Sequence, residues 1–517
     1  MRTASVVRAD ASNWLIRLNA VLNRPAVALS LLAAFAVATG LAYRLLPPAS
    51  PLLNGDTPDY LYFDAGRPIG YPIFLRVISL LTGGYEAVRP VQILLFVLSA
   101  FVASWAVFRH GWGFMAAFIF ELGVLGYPGP IGLADSIMSD SVAASLYLLY
   151  LAAVLGFVRR PTPGRYFSAC LVMALSITVR PVGVALIASN LALLLLYRRD
   201  LHGKFLPASG LLLVLALAGW FATPVTHSFV SGEKAGTPLA RGLLQKVIFE
   251  QPKAGRAPSC DDEFIESLTL PALRYIQAAP EQHRDMLRLR YSSYLRFKSI
   301  IPGLVQRHDL KREADADPIL MCYSLARIRE NPLSFLQVTA QDYWNLVINH
   351  TFITKEEQDS YNAFIATHPP VLPPTFANTH RHSEMRERAA RETSPGDTVV
   401  ASEFIADEVS FEPSRARPAA IIVLLKLIQV TATLAGFVCI VFVCLRLMGF
   451  RTAEDWVTLG VVAMAAQFSL LLTAIVEMAL PRYMFPVWPY YWLTIVFLSL
   501  WAWRKAFGRR PPRWASR

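Results

Sequence analysis

The sequence predicts an all-α polytopic membrane protein, with about ten transmembrane helices and a mostly helical extracytoplasmic domain. Three observations predict it. The chain of 517 residues is 54% hydrophobic and only 17% charged, where a soluble chain carries roughly 25% charge. Its apolar residues gather into runs, several of them near the roughly 20 residues that cross a bilayer. Its basic and acidic residues fall alternately in the segments between those runs, as membrane topology requires. The net charge of +12 resembles a nucleic-acid signal until its location is checked. It sits largely between spans, so no nucleic-acid partner is expected.

Residues 1–25 carry Arg2, Arg8, Arg17 and Arg24, and the first apolar run covers 26–46. A cleaved signal peptide has a shorter apolar part, about 7–15 residues, so this run is read as an uncleaved first span. Further runs fall near 90–108, 112–128, 140–158, 166–179, 182–197, 205–226, 419–446, 456–476 and 483–503. Those at 112–128, 166–179 and 182–197 are short, and the last two of these form a hairpin around Arg180–Pro181. Counting from an inside N-terminus, the inside segments hold Arg109, then Arg159, Arg160 and Arg165, then Arg198, Arg199 and Lys204, then Arg446 and Arg451, then the basic tail. The other side holds Asp56, Asp59, Asp64, Asp135, Asp140 and Glu477. Both termini are therefore expected in the cytoplasm.

This divides the chain into an N-terminal membrane module (1–226) with a first outer loop (47–89), an outer region (227–418), and a C-terminal membrane module with a basic tail (419–517). In the outer region, helical patterns appear near 240–250, 280–300 and 318–347. The last opens at Asp317–Pro318, and Asn331–Pro332 starts a new helix within it. Residues 366–418 read as a loosely ordered return to the membrane. Cys170, Cys439 and Cys444 lie in apolar runs, whereas Cys260 and Cys322 lie in the polar region. No zinc-type spacing is present, and no metal site is assigned. If the polar region is outside the cytoplasm, a Cys260–Cys322 disulfide becomes open to it.

The stretch Asn54–Pro72 is the most informative. It holds Asp56, Asp59, Asp64, Arg67, Tyr60, Tyr62 and Tyr71. Thr57 can cap a short helix with Pro58 at its first position, Gly66 can end it, and a second helix runs from Pro72 to Gly83–Gly84. Asp56 then lies just before a helix N-terminus and Asp59 one turn in, where the helix dipole favours the ionised, base-competent carboxylate. The same placement suits a carboxylate that merely shares the capping.

Other polar groups sit at the same ends of the spans, where charges are expensive and usually line cavities or pathways. Asp140 in Leu133–Ser141 either faces the first loop or caps its own helix together with Ser139. Arg180, held at the Pro181 bend, is either a snorkelling anchor or a phosphate ligand, to which its planar fork is suited. In Glu477–Pro489, Arg482 and Tyr483 with Trp488 form either an aromatic belt or a second phosphate contact. His227, Arg241 and Lys246 could close over the same cavity. No Walker loop, HExxH, GxSxG or dinucleotide fingerprint occurs.

Four of these features together resemble the GT-C superfamily of integral-membrane glycosyltransferases, in particular the bacterial members related to protein O-mannosyltransferases and to the lipid A aminoarabinose transferase. They are the acidic first loop from Gly55–Asp56 through Tyr60 to Gly70–Tyr71–Pro72, the Ser139–Asp140 step, Arg180–Pro181, and Arg482–Tyr483 with the prolines that follow. They cover residues 26–226 and 419–503. The resemblance implies a GT-C-like fold in the bacterial inner membrane, with an extracytoplasmic active site. It implies a polyprenyl-phosphate sugar as donor and a lipid, glycan or protein as acceptor. By position Asp56 would be the catalytic base, with Asp59 as its understudy. Many relatives carry two adjacent acids here, whereas Thr57–Pro58 separates them in this chain. Arg67, Tyr71, Asp140, Arg180, Arg482 and Tyr483 would bind substrate. Metal dependence varies across the superfamily, so a divalent cation is compatible and none is assigned. Two rival functions are a transporter or flippase for a lipid-linked sugar, and a non-enzymatic membrane assembly protein. A transporter usually shows paired repeats, and no repeat is visible.

Overall fold

Each apolar run forms a helix because no other open structure satisfies its backbone groups within a hydrocarbon layer. The computed structural model describes residues 17–46, 57–63, 67–127, 129–230, 238–250, 260–348, 355–374, 419–476 and 481–506. Among them there is no β-strand. The N-terminal part contains α1 (Pro25–Leu45), α2 (Thr57–Leu61), α3 (Gly70–Thr82), α4 (Val88–Val107), α5 (Phe114–Leu125), α6 (Gly129–Ala134), α7 (Ser139–Arg159), α8 (Pro163–Val179), α9 (Leu186–Leu196) and α10 (Phe205–Val230). The polar region contains α11 (Pro238–Val247), α12 (Asp262–Ala278), α13 (Glu281–Tyr294), α14 (Ile301–Arg307), α15 (Asp317–Glu330), α16 (Pro332–Ile348) and α17 (Lys355–Thr367). The C-terminal part contains α18 (Ala419–Leu447), α19 (Glu454–Val476) and α20 (Trp488–Ala506).

All ten apolar runs are helical, and the protein is an all-α polytopic membrane protein. Among the described residues, six helices are long and apolar enough to cross a membrane: α1, α4 with the turn after it, α7, α10, α18 and α19. Four apolar helices among the described residues are shorter: α3 in the first loop, and α5, α8 and α9 with its preceding turn, the three runs the sequence marks as short. Proline starts α1 and α8 and the 3-10 turn Pro181–Ala185, since its missing N–H costs nothing in the first turn. α7 is the axis of the bundle, with 78% of its apolar window buried against 17% for α1. It packs against α4 and α8, and α19 packs against α18 and α9. The peripheral helices turn Val37 and Leu41 (α1), Leu213 and Phe221 (α10), and Leu427 and Leu434 (α18) outward. So much exposed apolar surface suits lipid as the surrounding medium.

The polar region has its own core, including Leu244, Ile265, Leu268, Leu287, Leu304, Leu320 and Tyr323. Arg327 is buried beside it and pairs with Glu266, with Glu330 at 2.9 Å and with Asp262 at 3.6 Å. A disulfide joins Cys260 to Cys322 across a Cα–Cα distance of 5.7 Å. Asp317–Pro318 opens α15, and a separate helix starts at Pro332, as the sequence predicts. Three helices of this region, α12, α14 and α17, lie beyond the predicted patterns. α16 also departs from expectation. Its far end enters the membrane bundle, where Leu346 and Val347 join the main core and the Tyr343 hydroxyl donates to Gln467 of α19. Most of the expected return segment, 375–418, lies outside the described residues.

In the first loop, α2 begins at Thr57 itself and ends at Leu61, well short of the expected Gly66. Residues 64–66 lie outside the described residues. α3 begins at Gly70, two residues before Pro72, and ends at Gly83, whose φ of +79° is the left-handed cap that glycine supplies without strain. Gly70 is also a point of close approach. A Cβ there would lie 2.6 Å from Thr178 Oγ1 and 2.8 Å from the Thr178 carbonyl at the end of α8. The first loop is thereby pressed onto the chain two residues before Arg180.

Gly70→Val should therefore displace α3 and lower the melting temperature of the purified protein; an unchanged melting curve would contradict the close approach. The disulfide makes a second expectation. Denatured without reductant, the protein should expose three reactive thiols, Cys170, Cys439 and Cys444, and all five after reduction. Cys322→Ala should cost about 4 kcal/mol by the chain-entropy relation for a sequence separation of 62, read as earlier proteolysis of the polar region.

Candidate functional site

The end of the bundle that carries the polar region collects ionisable groups from four separate segments of the chain. α7 starts there, and Met138 before it is extended and makes no side-chain cap. Ser139 and Asp140 open the helix, but neither spends its side chain on capping. The Ser139 hydroxyl lies 3.0 Å from that of Tyr60, and the Asp140 carboxylate pairs with the Arg180 guanidinium. Arg180 stands at the extended break between α8 and the turn at Pro181, so its side chain leaves the helix axis. It is turned inward, only 13% exposed, which is the opposite of a snorkelling anchor. The Tyr483 ring lies under its guanidinium, 4.6 Å from Cζ to centroid, a cation–π geometry. The turn at Pro181 is tight. A Cβ on Gly183 would lie 2.6 Å from the carbonyl carbon of Ser176.

The first loop supplies a second pair. Arg67 donates to Asp59 Oδ2 through Nε (3.0 Å) and Nη2 (2.8 Å) and stands 5.3 Å over the Tyr60 ring. Thr57 is fully buried, and its hydroxyl donates to the Ile137 carbonyl at 3.3 Å. A continuous path thus runs from Asp59 and Arg67 through Tyr60 and Ser139 to Asp140, Arg180 and Tyr483. Tyr71 lies behind this path. Its ring is fully buried, edge-on to Tyr60 at 4.9 Å, and its hydroxyl donates to Gln92 Oε1 at 3.0 Å. Burial, then the neighbouring Tyr60, then Asp140, push its phenol well above the ordinary range, so it stays a hydrogen-bond donor.

Several predicted participants stand elsewhere or escape description. Asp56, the predicted base, lies outside the described residues, as do Asp64 and Glu477. Arg482 lies in the 3-10 turn Pro481–Met484, but its side chain is outside the description. Trp488 belongs to no belt. It is buried, stacks on Tyr127 at 4.2 Å and donates to the Gly123 carbonyl at 3.1 Å. His227 does reach the loop, with Nε2 3.0 Å from the Arg67 carbonyl oxygen. Arg241 and Lys246 pair within the polar region instead, Arg241 with Asp317 at 3.0 Å and Lys246 with Asp342. Among the described residues, no group of three His, Cys, Asp or Glu is placed to hold a metal ion.

Two residues at this end were not singled out from the sequence. Arg89 is buried, donates to Asp135 at 2.7 Å and reaches the Leu46 carbonyl at 2.8 Å, tying α4 to the end of α1. Gln92 is fully buried, and its Nε2 donates to the Ala134 and Ser136 carbonyls, both at 3.1 Å, while its oxygen accepts from Tyr71. The signal for both was present: an arginine at the head of one span opposite an aspartate before another, and a carboxamide inside an apolar run.

No family model matches this chain, and no curated protein does. Among solved structures, the chain is similar to the crystal structure of ArnT from Cupriavidus metallidurans bound to undecaprenyl phosphate, at 15% identity and a TM-score of 0.30, over 87% of this chain and 77% of that one.

Proposed function

We propose that the protein is a glycosyltransferase that moves a sugar from a polyprenyl-phosphate donor to a lipid, glycan or protein acceptor. The site would open on the extracytoplasmic face of the bacterial inner membrane, with both termini in the cytoplasm. The observation that carries this is the convergence of Asp140, Arg180 and Tyr483 at one end of a membrane bundle, beside the Asp59–Arg67 pair. The sequence resemblance to the GT-C superfamily, which runs through the same residues, supports it.

In such a transfer, the acceptor oxygen or nitrogen attacks the anomeric carbon, and the bond from that carbon to the phosphate oxygen breaks. The electron pair leaves with the polyprenyl phosphate, and the acceptor proton goes to a carboxylate base. Developing charge on the leaving phosphate needs fixed cations. Arg180 is the cation best held for this, since Asp140 and the Tyr483 ring fix its plane and its guanidinium carries five donors. Arg482 is the second proposed phosphate contact. Asp140 is then a positioning residue. Asp56 is the proposed base on sequence position, and Asp59, engaged by Arg67, is the second candidate.

With purified protein, a polyprenyl-phosphate sugar and membrane extract as acceptor source, Asp56→Asn should abolish transfer while folding is unchanged. Full turnover in that variant, with loss in Asp59→Asn, would move the base to Asp59. Arg180→Gln should lower the turnover number by about 10²-fold or more, as loss of one transition-state donor does. Arg180→Lys keeps the charge without the fork, and it separates a folding defect from a catalytic one. If both Arg180 variants fold and turn over normally, the phosphate role is wrong.

A further inference from the structure

Away from the site just described, the polar region contains an open cleft of about 540 Å3, within the range of roughly 300–1,000 Å3 typical of ligand sites. One wall is a stripe of α16. Ser334, Gln337 and Gln341, preceded by Asn331, recur at spacings that put them on one helical face. The lining also includes Gln277 of α12, Arg288 of α13 and Glu250, which follows α11. Glu250 accepts a hydrogen bond from the Ser334 hydroxyl at 2.7 Å. Phe249, also in the lining, has the Arg288 guanidinium 6.0 Å from its ring centroid.

The lining decides the ligand class. A lipid chain would gain little here, because stripping water from amides without replacing their hydrogen bonds costs more than the apolar contact returns. Glu250 and Arg288 carry opposite charges, so the wall favours neither a strong anion nor a strong cation. Carboxamides offer a donor and an acceptor on one planar group, which matches neighbouring hydroxyls on a sugar ring. We propose that this cleft binds a neutral saccharide. Its use as the acceptor-recognition site rests on the transferase reading above; the binding itself does not.

α16 gives the cleft a physical connection to the candidate site. Beyond Gln341, Asp342 pairs with Lys246 and Tyr343 donates to Gln467 in the membrane bundle. The same helix packs against the 3-10 turn that carries Tyr483. A saccharide held on the near end of α16 would sit on the helix that abuts the Arg180–Tyr483 contact.

Hydrogen–deuterium exchange on the full-length protein in detergent tests this, with millimolar maltohexaose as probe and a serine- and threonine-rich peptide of similar mass as comparison. The saccharide should slow exchange across 331–341, and Gln337→Leu should require about tenfold more of it, the loss expected for one good hydrogen bond. Gln337 is exposed, so this variant should fold; Ser334→Ala with Gln341→Leu gives an independent check. Absence of saccharide protection, protection by the peptide instead, or an unchanged titration in both variants would overturn the proposal. Arg180→Gln should keep the saccharide response even if transfer is lost, so failure of the cleft and failure of the transferase reading are told apart.

Discussion

The ion pair between Asp140 and Arg180 organises the end of the bundle where the candidate site lies. Its carboxylate is fixed in the first turn of α7, the most buried of the long apolar helices. Its guanidinium is fixed at the one break between two short helices. Stability alone does not account for it. A well-packed apolar pair at a buried position is often as stable or more so, whereas removing one partner of a buried pair costs roughly 3–5 kcal/mol. The pair is thus a liability unless charge is needed at that place. The phosphate role proposed for Arg180 would supply such a need, and the Tyr483 ring beneath the guanidinium holds its plane.

Around the pair, the same constraint repeats at smaller scale. Enclosed connections between spans cannot leave their carbonyls unsatisfied, and here single side chains do the work. Gln92 serves two carbonyls of the loop before α7, Arg89 serves two carbonyls at the end of α1, and Thr57 serves Ile137. Every one of these bonds joins segments more than 40 residues apart in the chain. The first loop, the loop before α7 and the α8–α9 hairpin are therefore held as one unit, with Gly70 and Gly183 permitting the backbone approach.

Spans were legible because the bilayer imposes a length and a composition on each, and because basic residues mark the connections. The helix starts at Asp317–Pro318 and Pro332 were legible from proline's fixed φ. α12 was not, because Pro271 inside it reads as a breaker and its apolar residues earn their helical form only by packing on Leu287, Leu304 and Leu320. The entry of α16 into the membrane bundle was hidden for a related reason. Its buried end is only a few residues long and is interrupted by Asp342 and Asn345, so no apolar run announces it. At the site, residue types and their side of the bundle could be read, but pairing could not. Asp140 could equally have capped its helix, and Arg180 could equally have snorkelled. Only the fold decides between a local partner and one 40 residues away.

The burial of α16 also bears on how the polar region sits. Domains joined by loops alone move relative to one another by default, unless the interface is large and apolar. Here one helix belongs to both cores. Phe335, near its start, packs against the core of the polar region, and Leu346 and Val347 near its end are in that of the membrane bundle. Kinking such a helix sharply would break its backbone hydrogen bonds, while sliding it would strip Tyr343 from Gln467 and leave a polar group unpaired in a low-dielectric setting. Either cost exceeds the energy of ordinary thermal motion. α16 thus ties the polar region to the membrane bundle and to the turn that carries Tyr483.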